Sequence, residues 1–160
     1  MTEIVFTPIG IIHSPFNNPR EMPIQPVGAR GIRGTIEIDP AYAAGLKDLA
    51  GFSRIIVLYH FHRSDGYALE VTPFLDTATR GVFSTRAPRR PNAIGISMLT
   101  LVAVDGATLT VEDVDILNGT PVIDIKPYVP AFDAYPDERA GWLTTASGDA
   151  RTMRSDDRFC

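Results

Sequence analysis

Apolar residues in this chain come in short runs of β-branched and aromatic side chains, each soon stopped by glycine, proline or aspartate. Gly34-Thr35-Ile36-Glu37-Ile38 alternates apolar with polar, the period-two pattern of a strand with one buried face. Arg54-Ile55-Ile56-Val57-Leu58-Tyr59-His60-Phe61-His62 is almost continuously apolar or aromatic, as expected of a central strand. Runs at 4–12, 81–85, 95–104, 108–114 and 122–125 extend the series. A short run at 69–73 is broken by Pro73 and reads as an edge. Asp105-Gly106 between two runs signals a hairpin. Helix is expected only as a turn or two within 40–49, and 17–31 is too dense in Asn, Pro and Gly to be anything but a long loop. At least seven short strands with minor helix predict an all-β fold, a closed or nearly closed single β barrel. The pattern fades from Phe132. The expected division is therefore a barrel domain over 1–135 and a short C-terminal extension over 136–160, with a mobile polar tail at 147–158.

The chain has 160 residues, enough to bury a core without staples, and its single cysteine is the last residue, Cys160. No internal disulfide is possible, which fits a reducing compartment. No apolar run approaches the roughly 18 residues of a membrane span, and Met1-Thr2-Glu3-Ile4-Val5-Phe6 lacks the layout of a signal peptide. A soluble cytoplasmic protein is expected. Net charge is −4, against broad non-specific binding to nucleic acid. The charge is segregated, however: no acid lies from Arg80 to Val104, while Arg80, Arg86, Arg89 and Arg90 do.

Within that basic stretch, Arg86-Ala87-Pro88-Arg89-Arg90-Pro91-Asn92 joins two apolar runs. The prolines fix φ and remove backbone donors, so the loop is stiff. A stiff loop of guanidiniums presents planar forked donors to a phosphate, a carboxylate or a base. The second unusual segment is Asn118-Gly119-Thr120-Pro121-Val122-Ile123-Asp124-Ile125-Lys126-Pro127-Tyr128. Strand alternation puts Val122, Asp124 and Lys126 on one face, where Asp124 and Lys126 can pair, either to brace the barrel or to serve a site. His60 and His62 would share a strand face, but His13 is the only other histidine and no Cys or HExxH pattern adds ligands. They read as structural or substrate-facing, and no metal is expected. The glycines of Gly28-Ala29-Arg30-Gly31-Ile32-Arg33-Gly34 lead into a strand, where a dinucleotide fingerprint requires a helix. With no nucleophile elbow, P-loop or catalytic cysteine setting, group transfer from an activated donor remains open, with positioning as the main catalytic work.

Taken together, these segments resemble the TrmO family (TsaA-like or YaeB-like), proposed S-adenosylmethionine-dependent tRNA methyltransferases. The matching pieces include Ile9-Gly10-Ile11-Ile12-His13-Ser14-Pro15-Phe16, Pro23-Ile24-Gln25-Pro26, Tyr59-His60-Phe61-His62, Gly81-Val82-Phe83-Ser84-Thr85-Arg86, Arg90-Pro91-Asn92-Ala93-Ile94-Gly95-Ile96-Ser97 and Gly119–Tyr128, in the same order over 4–133. The resemblance implies a β-barrel methyltransferase, working as a homodimer with tRNA, that methylates N6 of threonylcarbamoyl-adenosine next to the anticodon. It implies a cofactor site at Gln25, Pro26, Val27, Gly28, Asp65, Gly66, Arg86, Ile96, Met98, Asn118, Gly119, Thr120 and Pro121. Arg89, Arg90, Asn92, Lys126 and Tyr128 would neighbour the base or RNA, and Asn92, Asp124, Lys126 and Tyr128 are the catalytic candidates. The chain departs from the family at Asn118, usually Asp, and at Ala93, usually Pro. A non-catalytic module binding S-adenosylmethionine or RNA, and a small-molecule methyltransferase, are the alternatives.

Overall fold

The computed structural model describes residues 1–23, 26–74 and 76–146, so Gln25 and the expected tail at 147–158 lie outside the described residues. Six strands close into a barrel in the order β1 (Gly10–His13), β2 (Arg33–Ile38), β7 (Thr108–Glu112), β6 (Ile94–Asp105), β3 (Arg54–His60) and β8 (Pro121–Pro127). Every neighbouring pair is antiparallel. The two-stranded β4 (Glu70–Val71) and β5 (Arg80–Gly81) lie in the long β3–β6 connection. The short helices α1 (Pro130–Asp133) and α2 (Leu143–Ala146) follow β8. The all-β barrel with minor helix stands as expected.

Alternation builds the core. Ile12, Ile36, Ile38, Ile55, Val57, Leu99, Leu109, Val111 and Val122 all point inward and are buried. Val114 and Ile116, from the segment after β7, join the same core. Burying such a side chain is worth about 1.5–3 kcal/mol, so the interior drives closure. The Asp105-Gly106 signal is a hairpin, with Asp105 opposite Thr108 and Gly106 at φ +57°. Gly95 is required by packing: a Cβ there would overlap the Tyr59 ring.

Several elements differ from expectation. Of the run 4–12, only its end joins a strand, because β2 stops before Pro40 and leaves residues 1–8 without a neighbouring ladder. Ile4, Val5 and Phe6 are exposed. The expected strand at 81–85 is a 3-10 turn over Val82–Ser84. There the hydroxyls of Ser84 and Thr85 donate to the carbonyls of Gly81 and Val82, each at 2.8 Å, and so compete with ladder pairing. The 40–49 segment also forms 3-10 turns, Pro40–Leu46 and Leu49–Gly51, the first capped by Asp39 accepting from Ala41 N–H at 2.8 Å. β3 ends at His60: the His62 N–H donates to the His60 carbonyl at 2.8 Å, so the chain turns and the two imidazoles do not share a strand face.

β8 carries the most consequential irregularity. Tyr59 pairs with Val122 but Leu58 pairs with Asp124, leaving Ile123 as an extra residue. The bulge inverts the alternation. Val122 is buried in the core, whereas Asp124 and Lys126 lie opposite the outward Leu58 and Ile56. The expected common face for Val122, Asp124 and Lys126 is therefore corrected. The expected pairing of Asp124 with Lys126 is present, at 2.8 Å.

Candidate active site

Antiparallel pairing puts the exits of β1, β3 and β7 and the starts of β2, β6 and β8 at one end of the barrel. The arginine-proline loop, the segment 61–68 and the turn 117–121 all gather there. The Phe61 N–H donates to the Ala93 carbonyl at 2.8 Å, and the Ala68 N–H to the Arg89 carbonyl at 3.4 Å. The arginine loop is thereby fastened to the chain leaving β3.

Its own side chains stiffen it further. Thr85 Oγ1 accepts from the Ala87 N–H at 3.2 Å, and Val71, Val82 and Ala87 form a small apolar cluster beneath. Arg90 Nη1 donates to the carbonyls of Thr85 at 2.9 Å and Ala87 at 3.2 Å. Arg90, expected at the substrate, thus braces the loop that carries it. Arg89 differs: its Nε is buried with no hydrogen-bond partner among the described residues, and Ser64 Oγ is in the same condition. Buried donors left unmatched are rare and point to a missing acceptor. Asn92 is exposed, its carbonyl accepting from the Ile94 N–H at 2.7 Å. At the root of the loop the Trp142 indole N–H donates to the Ser84 carbonyl at 2.9 Å. The Arg80 guanidinium lies over the same indole at 5.4 Å and pairs with Asp76 at 2.6 Å.

The expected cofactor residues divide by place. Pro26, Val27 and Gly28 lie in a 3-10 turn, Pro26–Ala29, near β6. Asp65 and Gly66 are exposed on the segment after β3. Asn118 is held by the chain leaving β1: its Oδ1 accepts from the Ser14 N–H at 3.1 Å and its Nδ2 donates to Asn17 Oδ1 at 3.0 Å. Gly119 has φ +81°, a left-handed conformation that favours glycine and turns the chain into β8. Thr120 is buried, and its hydroxyl donates to the Leu117 carbonyl at 2.7 Å. His62 Nδ1 lies 3.3 Å from that hydroxyl oxygen. Burial lowers the pKa of His62, aided by the positive field of Arg63 and by His60, while a hydrogen bond to the His60 backbone opposes the shift.

A buried polar group that the sequence reading did not single out lies just inside the barrel. Ser97 Oγ donates to Asp115 Oδ1 at 2.7 Å and lies 3.2 Å from the Tyr59 hydroxyl. Burial pushes the Asp115 carboxyl up to about 7, against the pull of the Ser97 hydroxyl, its own backbone N–H and the Arg86 guanidinium. The Tyr59 phenol is also raised, by burial and then by Asp115. The exposed Arg86 therefore acts electrostatically on the buried acid below it. One signal could have revealed Asp115: it is the only acid within the buried run 114–117.

Ile96, Met98, Asp124 and Lys126 occupy the outer wall, in the rows Ile96–Leu58–Asp124 and Met98–Ile56–Lys126 across β6, β3 and β8. Tyr128 follows β8, its N–H donating to the Arg54 carbonyl at 3.1 Å, at the opposite end of β3. Seven residues at about 3.3 Å each separate Tyr128 from Pro121. Within one chain, Lys126 and Tyr128 are therefore not brought to Arg89 and Asn92. No group of three His, Cys, Asp or Glu side chains that could hold a metal forms among the described residues.

Residues 11–134 match the family described as tRNA-methyltransferase O N-terminal domain. A "Probable S-adenosyl-L-methionine-binding protein" of Pyrococcus abyssi is 51% identical over 156 residues, covering 98% of this chain and 85% of that protein. The tRNA (adenine(37)-N6)-methyltransferase of Escherichia coli is 34% identical over 156 residues, with 91% of this chain and 66% of that protein covered. The crystal structure of TrmO from Pseudomonas aeruginosa superimposes with a TM-score of 0.74 at 38% identity, covering 89% of this chain and 63% of that one. The chain thus spans a little under two thirds of the length of these last two proteins.

Proposed function

The chain belongs to the tRNA-methyltransferase O N-terminal domain family, and from that premise we propose that it is an S-adenosylmethionine-dependent methyltransferase acting on tRNA, with N6 of threonylcarbamoyl-adenosine next to the anticodon as acceptor. The observation that carries this reading is the gathering of the arginine loop, segment 61–68 and turn 117–121 at one barrel end, with Arg89 Nε and Ser64 Oγ buried there and unmatched. Such donors suit a carboxylate or a ribose hydroxyl, so the residues present fit the cofactor. Ser64, Asp65, Gly66, Arg86 and Gly119–Pro121 would hold it, with Gly28 alongside. Asn118 would serve by shaping the turn, since both ends of its amide are already engaged. When bound, S-adenosylmethionine supplies an electrophilic methyl on a sulfonium.

The protein's work is then to align an acceptor nitrogen and keep water out. A base in an anticodon loop is single-stranded and can be splayed into a pocket and read at its edge. Arg89 would meet the threonyl carboxylate or a phosphate, while Arg90, bonded to the Thr85 and Ala87 carbonyls, keeps the loop in shape. The same reading includes a homodimer. Supporting it are the exposed Ile4, Val5 and Phe6 on a stretch without a ladder, and the exposed Ile94 and Ile96 on the outer wall. No helix among the described residues is long and apolar enough to cross a membrane.

Transfer of labelled methyl from S-adenosylmethionine to bulk tRNA, with and without the threonylcarbamoyl group, tests the proposal. Label confined to the modified tRNA is the expected result. Cofactor binding by calorimetry without transfer to either tRNA would favour a non-catalytic module instead.

A further inference from the structure

His62 stands where the three loops meet, and its surroundings fix where its proton sits. Thr120 Oγ1 has one hydrogen, and the 2.7 Å contact with the Leu117 carbonyl takes it. The hydroxyl oxygen can therefore only accept from the imidazole 3.3 Å away, which requires a hydrogen on His62 Nδ1. In the neutral ring, Nε2 then bears a lone pair, and a hydrogen bond to the His60 backbone also helps to hold the ring. The strand end behind the ring supplies Arg63 and His60, the charged and titratable groups that act on it. The turn packed against it from the other side supplies only the uncharged Thr120 hydroxyl. The other acids near this end are less suited. Asp115 is sealed in the core, Asp124 is paired with Lys126 on the outer wall, and Asp65 is assigned to the cofactor.

We infer that His62 is the general base of the transfer, held by Thr120 with Nδ1 protonated so that Nε2 accepts the proton of the acceptor nitrogen. The inference rests on the methyltransferase reading above. The acceptor nitrogen forms its bond to the methyl carbon as the sulfur–methyl bond breaks with its electron pair going to sulfur. The N–H proton passes to Nε2, and the imidazolium afterwards releases it to solvent. Because burial and Arg63 disfavour the charged ring, His62 is neutral and ready to accept at neutral pH.

The tautomer is read on the free protein by long-range 15N–1H correlation at neutral pH. A protonated Nδ1 on His62, lost to a mixture in Thr120→Val, is expected; a protonated Nε2 in the wild type overturns the inference. With tRNA as acceptor, His62→Gln should lower kcat by about a hundredfold or more, remove the acidic limb of the pH–rate profile and leave calorimetric cofactor affinity within about twofold. An active wild type alongside an equally active His62→Gln, or a variant that keeps the acidic limb, overturns the role of His62 alone. A wild type that binds cofactor yet methylates no tRNA overturns the reading beneath it, and the role of His62 with it.

Discussion

A single carboxylate inside the barrel, Asp115, ties stability to pH. Its folded-state value of about 7 lies above the ordinary carboxylate value of about 3.9. Between those limits the folded protein keeps a proton that the unfolded chain releases, so the contribution to stability is complete below about pH 4 and is lost as pH rises through 7. Asp115→Asn removes this dependence while still offering an acceptor to Ser97. Urea unfolding at pH 5 and pH 8 should show the variant losing less stability than the wild type over that interval, by about 2 kcal/mol. Equal losses would mean that Asp115 is already charged in the fold at pH 5. At this scale the sequence was only partly legible. The arginines were visible as a class, but chemistry alone could not tell that Arg90 closes on carbonyls of its own loop while Arg89 keeps a buried donor open. Likewise, no residue pattern shows that Ser14 and Asn17 engage both ends of the Asn118 amide.

Among the elements, the loop between β5 and β6 depends on a segment far along the chain. Trp142 reaches back to the Ser84 carbonyl and packs under Arg80, so chain beyond the barrel pins the root of the arginine loop. A hydrogen bond worth about 1 kcal/mol and a cation–π contact worth about 0.5–1 kcal/mol are lost together in Trp142→Ala. Limited trypsin digestion should then cut after Arg86 or Arg89 about tenfold faster, with little change in the barrel's unfolding midpoint. Unchanged cleavage would show that the loop holds itself. The strands of the barrel wall were legible because buried β-branched alternation dominates them, as at Ile36 and Ile38. Failures came where backbone partners, which no residue pattern displays, decided the outcome. Residues 4–8 have strand composition but face no ladder, and Ser84 with Thr85 turned an apolar run into a 3-10 turn.

For the whole molecule, a single β barrel was legible from the number and spacing of the runs, whereas the count of six strands in it and the assembly were not. If the exposed Ile4, Val5 and Phe6 meet a second copy, light scattering should give twice the mass of one chain, falling toward a single chain in the Ile4→Ser, Val5→Ser, Phe6→Ser variant. A monomeric wild type would sink the dimer. The bulge at Ile123 has a consequence at this scale too. By slipping one residue against β3, β8 changes phase midway: it lines the sealed interior beside the loops, and farther along it displays charge on the outside. A strand of strict period would have turned Asp124 and Lys126 inward opposite Val57 and Ile55, placing two charges in the apolar core. One unpaired residue thus lets a seven-residue strand serve two environments.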